Sequence, residues 1–191
     1  MSPIATTADL RKSGLSTREI HRHCTPAGPW QQLLPGVVLQ KPSPPTRLDR
    51  LKAVLSFAGP DSVITGADAL TRQGAVLPLP RHIHVLVGKD ARRAHPWILL
   101  ERTCRPPGVV ERHGLRLAAP ARATVDLARR ETNPRAVVEL LDAVMGARLC
   151  SPADLHEELR LSSRRGSALV RKALCHLYPQ AGSPLTPSAG P

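Results

Sequence analysis

Residues 7–39 read TADLRKSGLSTREIHRHCTPAGPWQQLLPGVVL, and this order of signals leaves few folds open. Two short helical patterns are joined by a turn at Ser13-Gly14-Leu15. Gly14 suits the left-handed position that closes a helix. Ser16-Thr17-Arg18-Glu19 is a start signal for the second helix, because a Ser hydroxyl can accept from the N3 amide while the N3 Glu reaches back to the cap amide. Trp30 with Leu33-Leu34 then reads as a short strand, Pro35-Gly36 as a turn, and Val37-Val38-Leu39 as the returning strand. Helix, turn, helix and β-hairpin is the order of a winged helix-turn-helix, a module whose second helix enters the DNA major groove.

The remainder predicts a second, larger domain. Lys41 to Thr46, KPSPPT, holds three prolines and reads as a linker, since proline breaks both helices and sheet interiors. Arg47 to Ala58 carries Leu48, Leu51, Val54 and Leu55 on one stripe, as an amphipathic helix does. Val63-Ile64 is a short strand, and Thr65 caps a helix from Gly66 to Gln73 that Gly74 stops. His82 to Val87 and Trp97 to Thr103 are strands, flanking a charged turn from Gly88 to His95. Val109–Arg112 and Leu115–Leu117 flank His113-Gly114 as a hairpin. Helices are expected over 120–130, 134–145, from Ser151-Pro152 onward, and over 167–178. The expected fold class is α+β: a winged helix-turn-helix over residues 1–40, a linker over 41–46, a small α/β domain with a mostly antiparallel sheet and C-terminal helices over 47–178, and a disordered tail over 179–191 rich in Gly, Ser and Pro.

Bulk properties narrow the function classes. The 191 residues suffice for one or two cored domains. No run approaches about 18 apolar residues, and no basic start precedes an apolar core, so a cytoplasmic protein without a membrane span is expected. The net charge of +12 favours polyanions. Only five of the 27 basic residues are Lys, leaving 22 Arg, the usage of a GC-rich genome, so charge alone is a weak pointer to nucleic acid. Four cysteines, at 24, 104, 150 and 175, form no CxxC pair and read as free thiols.

Catalytic patterns are not apparent. Asp68, Asp90, Glu101 and Glu111 lie near the expected sheet without the Asp…Glu-x-Lys spacing of a metal nuclease. His82 and His84 share a strand face, but neither His95 nor His113 supplies the second His-x-Ser/Thr that a two-histidine phosphoesterase needs. His21 and Cys24 share a helix face while His23 points elsewhere. No nucleophile elbow or phosphate-cradling loop is present, so neither an enzyme, a cofactor nor a metal site is expected. For DNA the candidates are Thr17, Arg18, His21 and Arg22 on the second helix, where Arg reads guanine. Arg11 and Lys12 would hold phosphates, with Gln31 and Gln32 on the wing.

These residues carry a resemblance. Leu10, Gly14-Leu15-Ser16, Gly28-Pro29-Trp30-Gln31, Leu34-Pro35-Gly36-Val37 and Leu39 resemble the N-terminal module of the abortive-infection E antitoxins of type IV toxin–antitoxin systems. Relatives usually carry a further helix ahead of this pair, where only Met1 to Thr6 stand here. The later stretches continue the likeness, to a GC-rich actinobacterial branch: Gly59-Pro60, Val63-Ile64-Thr65-Gly66, His84–Val87, Leu100–Thr103, Gly114-Leu115, Leu117-Ala118, Pro120–Ala123, Asp126–Arg129 and Arg165–Leu169. Many relatives continue into a nuclease resembling very-short-patch repair endonucleases. Here Gly182-Ser183-Pro184-Leu185 is followed by six residues, and that domain is expected to be absent. The resemblance implies a transcriptional regulator binding promoter DNA, and an antitoxin that counters a nucleotidyltransferase-type toxin without a stable complex. The alternative is a non-enzymatic interaction protein, a remnant of a nuclease-bearing relative.

Overall fold

The computed structural model describes residues 3–88 and 95–179. Most of the charged turn expected between Gly88 and His95, and the tail from residue 180 on, lie outside the described residues. The chain falls into two compact units, each built from two pieces: Met1–Ile64 with Pro80–Leu117, and Thr65–Leu79 with Ala118–Pro191.

The first unit opens with β1 (Ile4–Thr6), α1 (Thr7–Lys12), α2 (Thr17–His23), β2 (Gln31–Leu34) and β3 (Val37–Leu39). The expected helix pair and hairpin are present in that order, and Gly14 has φ +100° between the helices. β1 is an addition. It pairs antiparallel with β3, Ile4 opposite Leu39, so the strand order is β1-β3-β2. Three residues carry no alternation that could mark them as a strand; the partner β3, fully buried, supplies the reason to be one.

Residues 41–46 contain neither helix nor strand, yet they are held at both ends. The Gln31 side-chain amide donates to the carbonyls of Lys41 (3.0 Å) and Ser43 (2.8 Å). The Lys41 ammonium lies 2.8 Å from Asp49 Oδ2, and Asp49 also closes a capping box with Thr46 at the start of α3 (Arg47–Ala58). α3 buries Leu51, Ala53, Val54 and Phe57 and packs against β1, β2 and β3 as well as against β4 (Val63–Ile64) and β5 (Ile83–Val87).

A five-stranded sheet completes this unit in the order β6-β5-β4-β8-β7, where β6 is Ile98–Arg102, β7 is Val109–Arg112 and β8 is Leu115–Ala118. The sheet is mixed. β4 and β5 are antiparallel, and the β7–β8 turn at His113 (φ 54°) and Gly114 (φ 71°) is the two-residue hairpin that the sequence predicts. β4 runs parallel to β8, and β5 parallel to β6. All five residues of β5 are buried, the pattern of a strand covered on both faces.

The second unit is helical: α4 (Gly66–Gln73), α5 (Pro120–Ala128), α6 (Pro134–Gly146), α7 (Pro152–Leu161) and α8 (Ala168–Leu177). Prolines open α5, α6 and α7 at positions whose amides need no helical partner. Asn133 caps α6, and Ser151 with Asp154 forms a capping box on α7. Val137, Leu140, Leu141, Val144, Leu155, Leu159, Val170 and Leu174 make the core around α5. α4 spans the expected residues and stops at Gly74 (φ +122°). Thr65 stands at its N-cap position as expected, but its hydroxyl bonds no helix amide and instead donates to Asp126 Oδ2 at 2.8 Å. Among the described residues, no helix is long and apolar enough to cross a membrane.

Candidate nucleic-acid interface

α2 starts through the reciprocal bonds expected of its sequence. The Ser16 hydroxyl accepts from the Glu19 amide at 3.2 Å, and Glu19 Oε2 accepts from the Ser16 amide at 2.8 Å. The Ser16 hydroxyl donates to the same carboxylate oxygen at 2.7 Å. The Ser16 side chain first, and its amide second, hold the Glu19 carboxyl below the usual carboxylate range. The one acid of this helix is therefore engaged at its start.

The inward side of α2 is set by Ile20. With Leu10 of α1 and Val38 of β3 it forms a small buried core, against which Ala5, Leu15, Cys24 and Trp30 pack. Residues three and four apart share a helix face, so Arg18, His21 and Arg22 lie together, turned away from the anchored Ile20; these three and Thr17, in the first turn, are all exposed. Arg11 and Lys12 are exposed at the end of α1, and Gln32 is exposed on β2. Gln31 differs. It is half-buried, and its amide is committed to the Lys41 and Ser43 carbonyls. The hairpin tip is also tied down, since the Thr7 amide donates to the Gly36 carbonyl at 2.9 Å.

The other chemistry-bearing side chains are dispersed or paired. His84 is buried in β5 with Nε2 3.1 Å from Glu101 Oε2 on β6, whereas His82 is exposed ahead of the strand. Among the described residues, no group of three or more His, Cys, Asp and Glu is placed to hold a metal ion. A cleft of about 210 Å³ in the first unit is lined mainly by Val63, Leu86, Val87, Pro106, Pro107 and Val109. Burial pushes the Cys150 thiol up to about 11, with Asp154 adding to it against a hydrogen bond from Thr124, so it is a protonated, poor nucleophile at neutral pH.

One constellation was not anticipated from the sequence. In the second unit Arg122 Nε lies 2.9 and 3.0 Å from the two Asp126 carboxylate oxygens, and 3.9 Å from Glu158 Oε1 on α7. Arg122 and Asp126 are both buried, as is Thr65, whose hydroxyl bonds the same carboxylate. The available signal was an Arg and an Asp four apart in a helix whose neighbours are Ala, Thr, Val and Leu: such a helix has no polar face to carry them.

Comparison with known proteins decides the family. The model of the AbiEi antitoxin C-terminal domain matches residues 62–176, well over half the chain. The chain belongs to the AbiEi antitoxin family. The resemblance of the later stretches to this family therefore holds, and the family is a regulatory kind of protein found in bacterial toxin–antitoxin systems. The fold has a solved counterpart in the crystal structure of the RV2827C protein from Mycobacterium tuberculosis. The two share 16% identity with a TM-score of 0.58, over 89% of this chain and 72% of that one. No curated protein matches the chain.

Proposed function

We propose that this AbiEi-family protein is a DNA-reading repressor of its own operon. Residues 1–40 form the reading module and the remainder serves the antitoxin role, and the reader is the outward face of α2. The observation that carries this reading is the concerted exposure of Thr17, Arg18, His21 and Arg22 on a helix seated by Ile20 and capped by Ser16. Side chains in the early turns of such a helix reach base edges, and Arg makes the strongest discriminating contact, to guanine. Arg11 and Lys12 hold phosphates, Gln32 touches DNA from the hairpin, and Gln31 supports the hairpin base. Regulation of this kind accompanies a nucleotidyltransferase-type toxin that the protein counters without a lasting complex.

Fluorescence anisotropy with the duplex upstream of the gene and a scrambled duplex, each titrated across salt, tests the reading. Upstream DNA is expected to bind at least about a hundredfold tighter than scrambled DNA, within the ordinary range of specific regulators. Arg18→Ala with Arg22→Ala is expected to remove that preference. An unchanged preference in the double variant would sink the assignment to α2. Weak binding to both duplexes that vanishes steeply with salt would mean only a basic surface, and would favour the alternative of a protein-interaction module.

A further inference from the structure

We infer that the seven-residue connection from α2 to the hairpin is a built brace, with His23, Gly28 and Trp30 as positioning residues that fix the angle of the reading helix. This rests on the DNA-reading function proposed above. At the C-terminal end of α2, as of any helix, the last carbonyls lack helical partners. Here the last four accept a bond from the connection. The Cys24 amide donates to the Ile20 and His21 carbonyls at 3.1 Å each. The Thr25 hydroxyl donates to the Arg22 carbonyl at 3.0 Å. The Trp30 amide, last before β2, donates to the His23 carbonyl at 3.0 Å. The segment that leads to the hairpin is thus also the helix cap.

Two further features stiffen it. The Trp30 indole lies on the His23 imidazole with ring centroids 4.4 Å apart and planes tilted by 33°. Gly28 is pressed onto the helix end: a Cβ there would lie 2.2 Å from the His23 carbonyl oxygen and 3.1 Å from that of Arg22. Both are backbone atoms, so no side chain can swing aside to make room. Pro26 and Pro29 on either side restrict the loop further. His21 and Arg22 stand in the turn that this brace clasps, so their direction depends on it. Their base contacts discriminate only while the helix keeps one orientation.

The test separates positioning from folding. His23→Ala removes one ring and leaves the backbone bonds, Trp30→Ala removes the other, and Trp30→Phe restores an aromatic face. His23→Ala and Trp30→Ala are each expected to lower the upstream-over-scrambled preference about tenfold, the scale of one lost base contact. Scrambled binding and its salt slope stay at wild-type values, and Trp30→Phe keeps most of the preference. An unchanged preference in both alanine variants, or an equal fall on both duplexes, would overturn the inference. A second readout is independent of DNA. In a Trp97→Phe background Trp30 is the sole tryptophan, and His23→Ala is expected to change its near-ultraviolet circular dichroism; no change overturns the brace itself. A wild-type chain that shows no preference while this signal does change overturns the DNA reading instead.

Discussion

The charged groups of α2 and those of α5 have been put to opposite uses. On α2, Arg18 and Arg22 stand exposed beside Thr17 and His21, on a helix whose single acid is occupied in its own cap. On α5, Arg122 and Asp126 are buried four residues apart and enclosed by Thr65 and Glu158. An exposed guanidinium adds little to stability and keeps its donors for a partner. A buried one has lost its hydration and depends on its carboxylate. The basic character of the chain is therefore not one property: the two α2 arginines face solvent, and Arg122 is part of the core.

The largest expected effect tests the buried side. Arg122→Met leaves the Asp126 carboxylate without its ion-pair partner and is expected to destabilise the protein by about 3–5 kcal/mol, read from urea denaturation. Pairing it with Asp126→Leu is expected to recover part of that loss, because the second change removes the stranded charge. If the single change costs no more than a surface substitution, the contrast between the two helices fails. The exposed side gives the reciprocal result: Arg18→Ala with Arg22→Ala is expected to leave stability within about 0.5 kcal/mol of wild type.

An intermediate effect belongs to the start of α2. Ser16→Ala removes the hydroxyl that accepts from the Glu19 amide and is expected to cost about 1 kcal/mol, measured by the same denaturation.

The smallest effect sharpens the comparison with a partly buried pair. Burial raises the Asp49 carboxyl, but the Lys41 ammonium and the Thr46 hydroxyl and amide outweigh it, so the group titrates below its ordinary range. A carboxyl lowered on folding contributes stability above its unfolded value, about 3.9, and loses it as pH falls through the folded value. The stability gap between wild type and Asp49→Asn should therefore be full near neutrality and narrow in acid. A gap that widens as pH falls would contradict the sign.

Legibility followed the range of the interactions. The Ser16–Glu19 box, the Gly14 turn and the His113-Gly114 hairpin rest on residues within a few positions of each other, and all three were readable. β1 was not, because Ile4–Thr6 becomes a strand only through Val37–Leu39. Thr65 carries a valid capping signal, yet its hydroxyl is taken by a carboxylate 61 residues away. The parallel partnership of β5 with β6 was equally hidden, since alternation shows a strand but not its neighbour's direction. At the candidate interface, the outward residues of α2 were readable from helical period alone. The engagement of Gln31 and the ring contact between His23 and Trp30 depend on where a loop returns, which composition does not encode.

The interleaving of the two units bears on how the protein is born. The ribosome delivers Thr65–Leu79, a piece of the second unit, before Pro80–Leu117, which the first unit still lacks. At about 5–20 residues per second, α4 with its inward Ala67, Ala69 and Leu70 waits seconds for α5, the helix it packs against. Nascent chains interrupted between residues 80 and 117 therefore hold neither unit whole, and would present α4 to the quality-control machinery of the cell as unfinished surface.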